Sequence, residues 1–169
     1  SAGLIGWPQT RADWNRLGIM LYGGSPFFVP QYGASKLKQV MTLKSEIIAL
    51  RTIEVGETVG YAATWKADRQ TVIATVAIGY GDGYPLNASN GTPVLIRGRR
   101  CPIAGRVSMD MITIDVTDLP LAELGDEVIL WGKGLSIDEI AKCAGTISYE
   151  LLTRMPARTR RIYTEKDIR

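Results

Sequence analysis

The chain contains no histidine in 169 residues. That absence excludes Ser-His-Asp and Cys-His nucleophilic arrangements built from this chain alone. With only two cysteines besides, soft ligands are too few for a zinc site, and no metal is expected. Proton chemistry must then fall to Tyr, Lys, Cys, Asp or Glu. Cys101 and Cys143 lie far apart without a CxxC spacing, so they read as structural thiols rather than a disulfide framework. No apolar run approaches the ~18 residues that a membrane-spanning helix needs. The opening "SAGLIGWPQTR" lacks a basic region followed by an apolar core, so no secretory signal is expected and the cytoplasm is the expected compartment. Excess charge is also missing. A net +3 from 20 basic and 17 acidic residues is mild and intermixed. The one dense basic run, Arg154 to Arg161, has no stacking aromatics or known motif beside it, so it reads as a solvated strand end and no nucleic-acid partner is expected.

What is present is strand-forming sequence. A 46% hydrophobic content suffices for one core, since a chain of about this length buries roughly 68–70% of its unfolded surface. From Lys38 onward short β-rich runs follow one another: "VMTLKSEIIALRTI", "TVIATVAIG", "TPVLIRG", "CPIAGRVSM", "MITIDVTD" and "DEVILWG". In "MITIDV", Ile112, Ile114 and Val116 alternate with Met111, Thr113 and Asp115, as in a half-buried strand. Close spacing of such strands predicts a barrel or sandwich. One helix is signalled in "SIDEIAKCAG", with Ser136 as cap, Glu139 completing a capping box and Gly145 at the C′ position. A second helical turn is expected from Ser148. The apolar run Ile19 to Tyr22 reads as a lone short strand followed by a linker, "SPFFVPQYGAS". Such a strand cannot stabilise itself and belongs with another body of protein.

Four stretches invite chemistry. "VAIGYGDGYP" is a buried strand entering a glycine-rich loop, without the GK[ST] or GxGxxG pattern of a phosphate loop. Either the loop needs positive φ, or it presents Tyr80 and Asp82 beside a cavity. "AGRVSMDM" places Arg106 and Asp110 four apart on a strand end. These form a surface ion pair, or Arg106 lines a pocket and a backbone N–H near Met109 is free for an anion. "GTISYELLTR" puts Tyr149 at a helical start, where a phenol is either a wet interfacial group or a donor beside an anion-binding terminus. "VGETVGYAATWKADR" leaves Tyr61 among glycine and alanines, with nothing bulky to cover its ring. A tyrosine base works against a reference pKa of about 10, so it needs cationic neighbours or strong donors. Lys66 and Arg69 are the nearest in sequence. The residues by themselves specify a β-rich domain with three candidate pocket tyrosines, and no reaction.

Together, "WNRLGIMLYGGSP", "VGYAATW", "IGYGDGYP", "GRVSMDM", "GDEVILWG" and "ISYEL" resemble the pyridoxal-phosphate-dependent alanine racemases, in that family's order and spacing over nearly the whole chain. The resemblance implies a mainly β, barrel-like C-terminal domain over residues 37–169. It also implies that residues 1–36 are the terminal strand and helix remnant of an N-terminal (β/α)8 barrel, plus linker. The cofactor lysine would lie outside this chain, so the isolated chain is expected to be inactive. It implies a head-to-tail homodimer, or a companion barrel chain, with each active site shared. The implied activity is interconversion of L- and D-alanine for peptidoglycan precursors.

Carried over residue by residue, Tyr61 matches the tyrosine acid/base on one face of the substrate's α-carbon, and Met109 the residue whose backbone N–H binds the substrate carboxylate. Ser1, Gly18, Ile19 and Tyr149 match ligands of the cofactor phosphate, and Arg16 the arginine facing the pyridine nitrogen. Tyr80 and Tyr149 match the pair that narrows the substrate gate, with Arg106 and Ile147 further out. Where many members carry an arginine after "GYGDGYP", this chain has Leu86. A broader-specificity amino-acid racemase and a non-catalytic β-domain for protein association are the alternatives. The narrow gate argues against the first. The retained Tyr61, Arg16 and phosphate-ligand set argue against the second.

Overall fold

A computed structural model describes residues 1–29 and 33–164. Eight strands and three helices follow in chain order: α1 (Ala2–Gly6), β1 (Leu43–Ile53), β2 (Thr58–Val59), β3 (Trp65–Lys66), β4 (Thr71–Val76), β5 (Pro93–Ile96), β6 (Arg99–Pro102), β7 (Ile112–Asp115), β8 (Glu127–Trp131), α2 (Ile137–Cys143) and α3 (Ser148–Thr153). Six strands form one antiparallel sheet in the order β6-β5-β8-β1-β4-β7. Its ends nearly meet. Ile103 bridges Ile114, and the Ala104 N–H donates to the Thr113 carbonyl at 2.9 Å. The sheet is therefore a nearly closed barrel, as expected from the strand spacing.

One long strand makes the closure possible. The first half of β1 pairs with β8, and from Ile47 it pairs with β4. Register shifts occur at Leu43/Lys44 and Ile47/Ala49, and such bulges bend a strand and raise its twist. β4 lies between β1 and β7 and is buried at four of six positions, which explains its apolar composition. β7 alternates buried Ile112 and Ile114 with half-buried Thr113 and Asp115, as the sequence periodicity predicts.

The interior is filled by aliphatic residues from every long strand, together with Ile137 and Ile140 of α2 and Leu151 of α3. Its largest members, Tyr84 and Trp131, stack with centroids 6.0 Å apart. The Tyr84 hydroxyl is buried and finds no hydrogen-bond partner among the described residues. Desolvation first, and the neighbouring Cys143 second, push this phenol well above its ordinary range. Above about pH 10 the unfolded chain loses that proton and the folded chain keeps it, so stability falls with rising pH. Tyr84→Phe should gain about 1 kcal/mol at neutral pH by removing an unpaired buried hydroxyl. It should also flatten the alkaline decline, leaving the contribution of the Cys101 thiol, which burial pushes up. Urea unfolding at about pH 7 and about pH 10.5 checks both, the upper value sitting just above the phenol reference. A loss of stability at neutral pH would mean that the hydroxyl has a partner.

Several local expectations are corrected. Ile19–Tyr22 is a 3-10 turn, not a strand, and there is no strand among the described residues before Leu43. The strand read through "CPIAGRVSM" stops at Pro102. Residues 104–111 are irregular because Gly105, at φ 90°, lies under the Val59 carbonyl, 2.8 Å from where a Cβ would sit. Residues 155–161 form turns and coil rather than a strand end. Ser136 caps α2 through the Asp138 N–H at 3.2 Å. Glu139 closes no box, because its carboxylate is taken by both terminal nitrogens of Arg100 on β6. Gly145 does occupy the left-handed position after α2, and Thr146 N–H reaches back to Ala141 at 2.9 Å. α3 starts at Ser148 as expected. The linker read over 25–35 falls partly on 30–32, outside the described residues. Among the described residues no helix is long and apolar enough to cross a membrane.

Candidate active site

Tyr61 stands on the connection of the β2–β3 hairpin. The hairpin has its own small core: Val59, Ala67 and half-buried Trp65 pack on Ile53, Ile73 and Ala104. The connection is tight and strained. Gly60 has φ 79°, and a Cβ there would lie 3.0 Å from the Arg106 nitrogen. Ala62 (φ 60°) and Ala63 (φ 48°) both adopt left-handed backbone, which costs roughly 1–2 kcal/mol per L-residue. Such conformations persist only where the surroundings impose them, and they cluster at functional sites. The result is a phenol ring 71% exposed, held out from the body by a rigid base. Of the two nearby cations, Arg69 is committed to Asp118 at 2.6 Å.

Beside the ring opens a concavity of about 420 Å³, lined by Tyr61, Thr75, Arg106, Ser108, Met111 and Thr113 among others. Arg106 makes no ion pair among the described residues. Its predicted pairing with Asp110 is overturned, and the pocket-lining alternative holds. Arg106 also borders a second concavity with Leu86 and Asn90.

Two loops meet next to this site. The Tyr80 N–H donates to the Ser108 carbonyl at 3.0 Å, and the Gly81 N–H to the Met109 carbonyl at 2.8 Å. Gly79 makes the approach possible although its φ of −149° is open to any residue. A Cβ there would lie 2.3 Å from the Ser108 oxygen. Positive φ occurs in this loop at Gly83. The Met109 N–H finds no acceptor among the described residues, as a free anion-binding amide would. A cross-link missed in the sequence ties the two loops together. Arg158 donates from Nε to Asp82 at 2.8 Å and from Nη2 to Asp110 at 2.5 Å. Asp82 in turn accepts the Gly79 N–H at 2.9 Å. Arg158 sits in the run that reads as merely solvated, and only its contacts reveal it.

A third group lies near the start of the chain. The Ser1 hydroxyl accepts from the Gly18 N–H at 3.1 Å and the Met20 N–H at 3.3 Å. The buried Ile19 has an amide with no acceptor among the described residues. Beyond Ile19 stands Gly24, whose Cβ would touch both Ile19 and the Ser148 hydroxyl. This packing sets α3, with half-exposed Tyr149 and Ile147 at its start, against the Gly18–Ile19 turn. The unpaired Ile19 amide and the Ser1 hydroxyl proton are donors of the kind that an anion takes. Arg16 is exposed on irregular chain, two residues before Gly18. Trp14, Leu21, Tyr22, Phe28 and Val29 are all exposed.

Comparisons with known proteins identify the family. Residues 40–163 match the family model described as alanine racemase, C-terminal domain. An alanine racemase of Vibrio vulnificus is 50% identical over 165 residues, 98% of this chain and 46% of that protein. The crystal structure of the biosynthetic alanine racemase of Pseudomonas aeruginosa superposes with a TM-score of 0.94 at 51% identity, covering 98% of this chain and 46% of that one. An alanine racemase from Bartonella henselae with covalently bound pyridoxal phosphate is 36% identical with a TM-score of 0.78, over 87% of this chain and 40% of that one. The chain therefore spans about half the length of the relatives it matches. It belongs to the alanine racemase family, whose C-terminal domain it carries.

Proposed function

We propose that this chain is the C-terminal portion of an enzyme that interconverts L- and D-alanine with pyridoxal phosphate, supplying D-alanine for peptidoglycan. Residues 1–36 would close its cofactor-binding barrel, and 37–169 would form the β domain. The observation that carries the reading is the Tyr61 turn. A strained backbone holds an uncovered phenol at a concavity, a placement without use to the folding of this chain but suited to a partner's active site. The enzyme would work in the cytoplasm as a homodimer, each site built from one subunit's barrel and the other's β domain.

The residues present fit the phosphate end of the cofactor. Ser1, the amides of Gly18 and Ile19, and the Tyr149 phenol would hold it, and Arg16 would face its ring nitrogen. When bound, pyridoxal phosphate supplies the electron sink that makes the α-proton of an amino acid labile. The chain's own residues do the rest. Tyr61 takes or returns a proton at the α-carbon on one face, and the opposite face is served by the lysine outside this chain. The Met109 amide binds the substrate carboxylate. A guanidinium, unlike a carboxylic acid, hands no proton to a ring nitrogen, so an arginine at position 16 would favour racemisation over side reactions. Tyr80 and Tyr149 narrow the gate to a small side chain, with Arg106 and Ile147 further out.

The test is exchange at the α-carbon. The full-length gene product, incubated with L-alanine and pyridoxal phosphate in heavy water, should lose the α-proton signal and accumulate D-alanine, followed by NMR. This chain alone should do neither. Failure of the full-length protein to act on alanine would reject the function. Comparable turnover of larger amino acids would reject the narrow gate.

A further inference from the structure

The turn that carries Tyr61 needs something to hold it. Within it the bond from the Ala63 N–H to the Gly60 carbonyl is long, at 3.4 Å, and both alanines are left-handed. One side chain outside the hairpin grips it. Asn90 Nδ2 donates to the Thr64 carbonyl at 3.0 Å, at the end of the turn. Its Oδ1 accepts the Gly105 N–H at 2.8 Å. That second contact lands where the backbone of residues 105–106 lies under Val59 and Gly60. A single amide thus clasps the turn to the segment that leads to Arg106 and the Met109 loop. Only an amide does both jobs, offering a donor and an acceptor on one planar group.

We infer that Asn90 is a positioning residue for the racemase reaction: it holds the left-handed Tyr61 turn in register with the 105–109 segment, and so fixes the phenol over the substrate's α-carbon. This rests on the reading of Tyr61 as the acid/base. Asn90 touches neither the concavity beside Tyr61 nor the phosphate-binding set, and its side chain borders only the second concavity. Its effect must therefore pass through the turn.

The experiment uses the full-length enzyme with Asn90→Ala, Asn90→Asp and Tyr61→Phe. Asn90→Asp keeps the acceptor for Gly105 but sets a carboxylate against the Thr64 carbonyl, so it breaks one of the two bonds and serves if Asn90→Ala folds poorly. Both Asn90 variants should lose about tenfold in kcat with little change in KM, less than the ~100-fold that a 1 Å misplacement can cause. The primary isotope effect with α-deuterated alanine should rise in the direction in which Tyr61 removes the proton, and not in the other. Amide hydrogen exchange over residues 60–64 should quicken, while the melting temperature stays within about 3 °C. An unchanged kcat, isotope effects that move equally in both directions, or unchanged exchange in the turn would overturn the proposal. If Tyr61→Phe is inactive while the Asn90 variants match the wild type, this inference fails and the reading of Tyr61 survives. If Tyr61→Phe is fully active, both fall together.

Discussion

Tyr61→Phe in the full-length racemase should lower kcat by about 10²–10⁴-fold in both directions, the range that a positioned acid or base contributes, with the bound cofactor's absorbance unchanged. Both directions should suffer, because in the proposed reaction one phenol serves as base on the way out and as acid on the way back. Stability should hardly move. The ring is 71% exposed and its hydroxyl has no partner among the described residues, so the change falls within the ±0.5 kcal/mol usual for surface substitutions. The backbone is equally safe, since the left-handed residues are Ala62 and Ala63 and not Tyr61. The check is a set of progress curves from each enantiomer, an absorbance spectrum and a melting curve on one preparation. Activity within a few-fold of wild type would remove Tyr61 from the chemistry. Lost cofactor absorbance would make it an anchor instead of a base.

The strands of the barrel are legible because each is decided by its own side chains. Alternation in β7 and the apolar run of β4 follow from one buried face and two buried faces respectively. What the sequence conceals depends on partners far along the chain. The box expected at Glu139 fails because Arg100, 39 residues away, offers a bidentate partner. The strand read through "CPIAGRVSM" stops short because Gly105 must pass beneath the hairpin that carries Tyr61. The site shows the same division. Tyr61 stands out through its small neighbours, which are local. Its clasp, Asn90, and the loop clamp, Arg158, look like ordinary turn and surface residues. Their partners lie 26, 15, 76 and 48 positions away, and no local pattern encodes those distances. The acidic halves, Asp82 and Asp110, sit inside recognisable motifs, while the arginine that joins them does not.

That arginine carries the second large effect. Arg158→Ala should lower kcat/KM for alanine by about 10–100-fold, approaching the ~10² that a misplacement of about 1 Å can cost. The reason is the geometry of the clamp. Asp82 belongs to the Tyr80 loop and Asp110 to the Met109 loop, and the guanidinium spans both. Without it, among the described residues, the loops keep only their two backbone bonds, Tyr80 to Ser108 and Gly81 to Met109, and two carboxylates face each other with no cation between them. Tyr80 and the Met109 amide then shift together, so on the proposed reading KM should rise and kcat should fall. Tyr61, on its separately anchored hairpin, should keep its isotope effects balanced between directions, which sets this variant apart from Asn90→Ala. Arg158→Lys should recover part of the loss, because an ammonium is a point charge that reaches one carboxylate well but cannot reproduce the fork. Steady-state kinetics of the two variants, with melting curves to exclude global unfolding, decide the matter. Wild-type KM in Arg158→Ala would mean that the backbone bonds alone hold both loops.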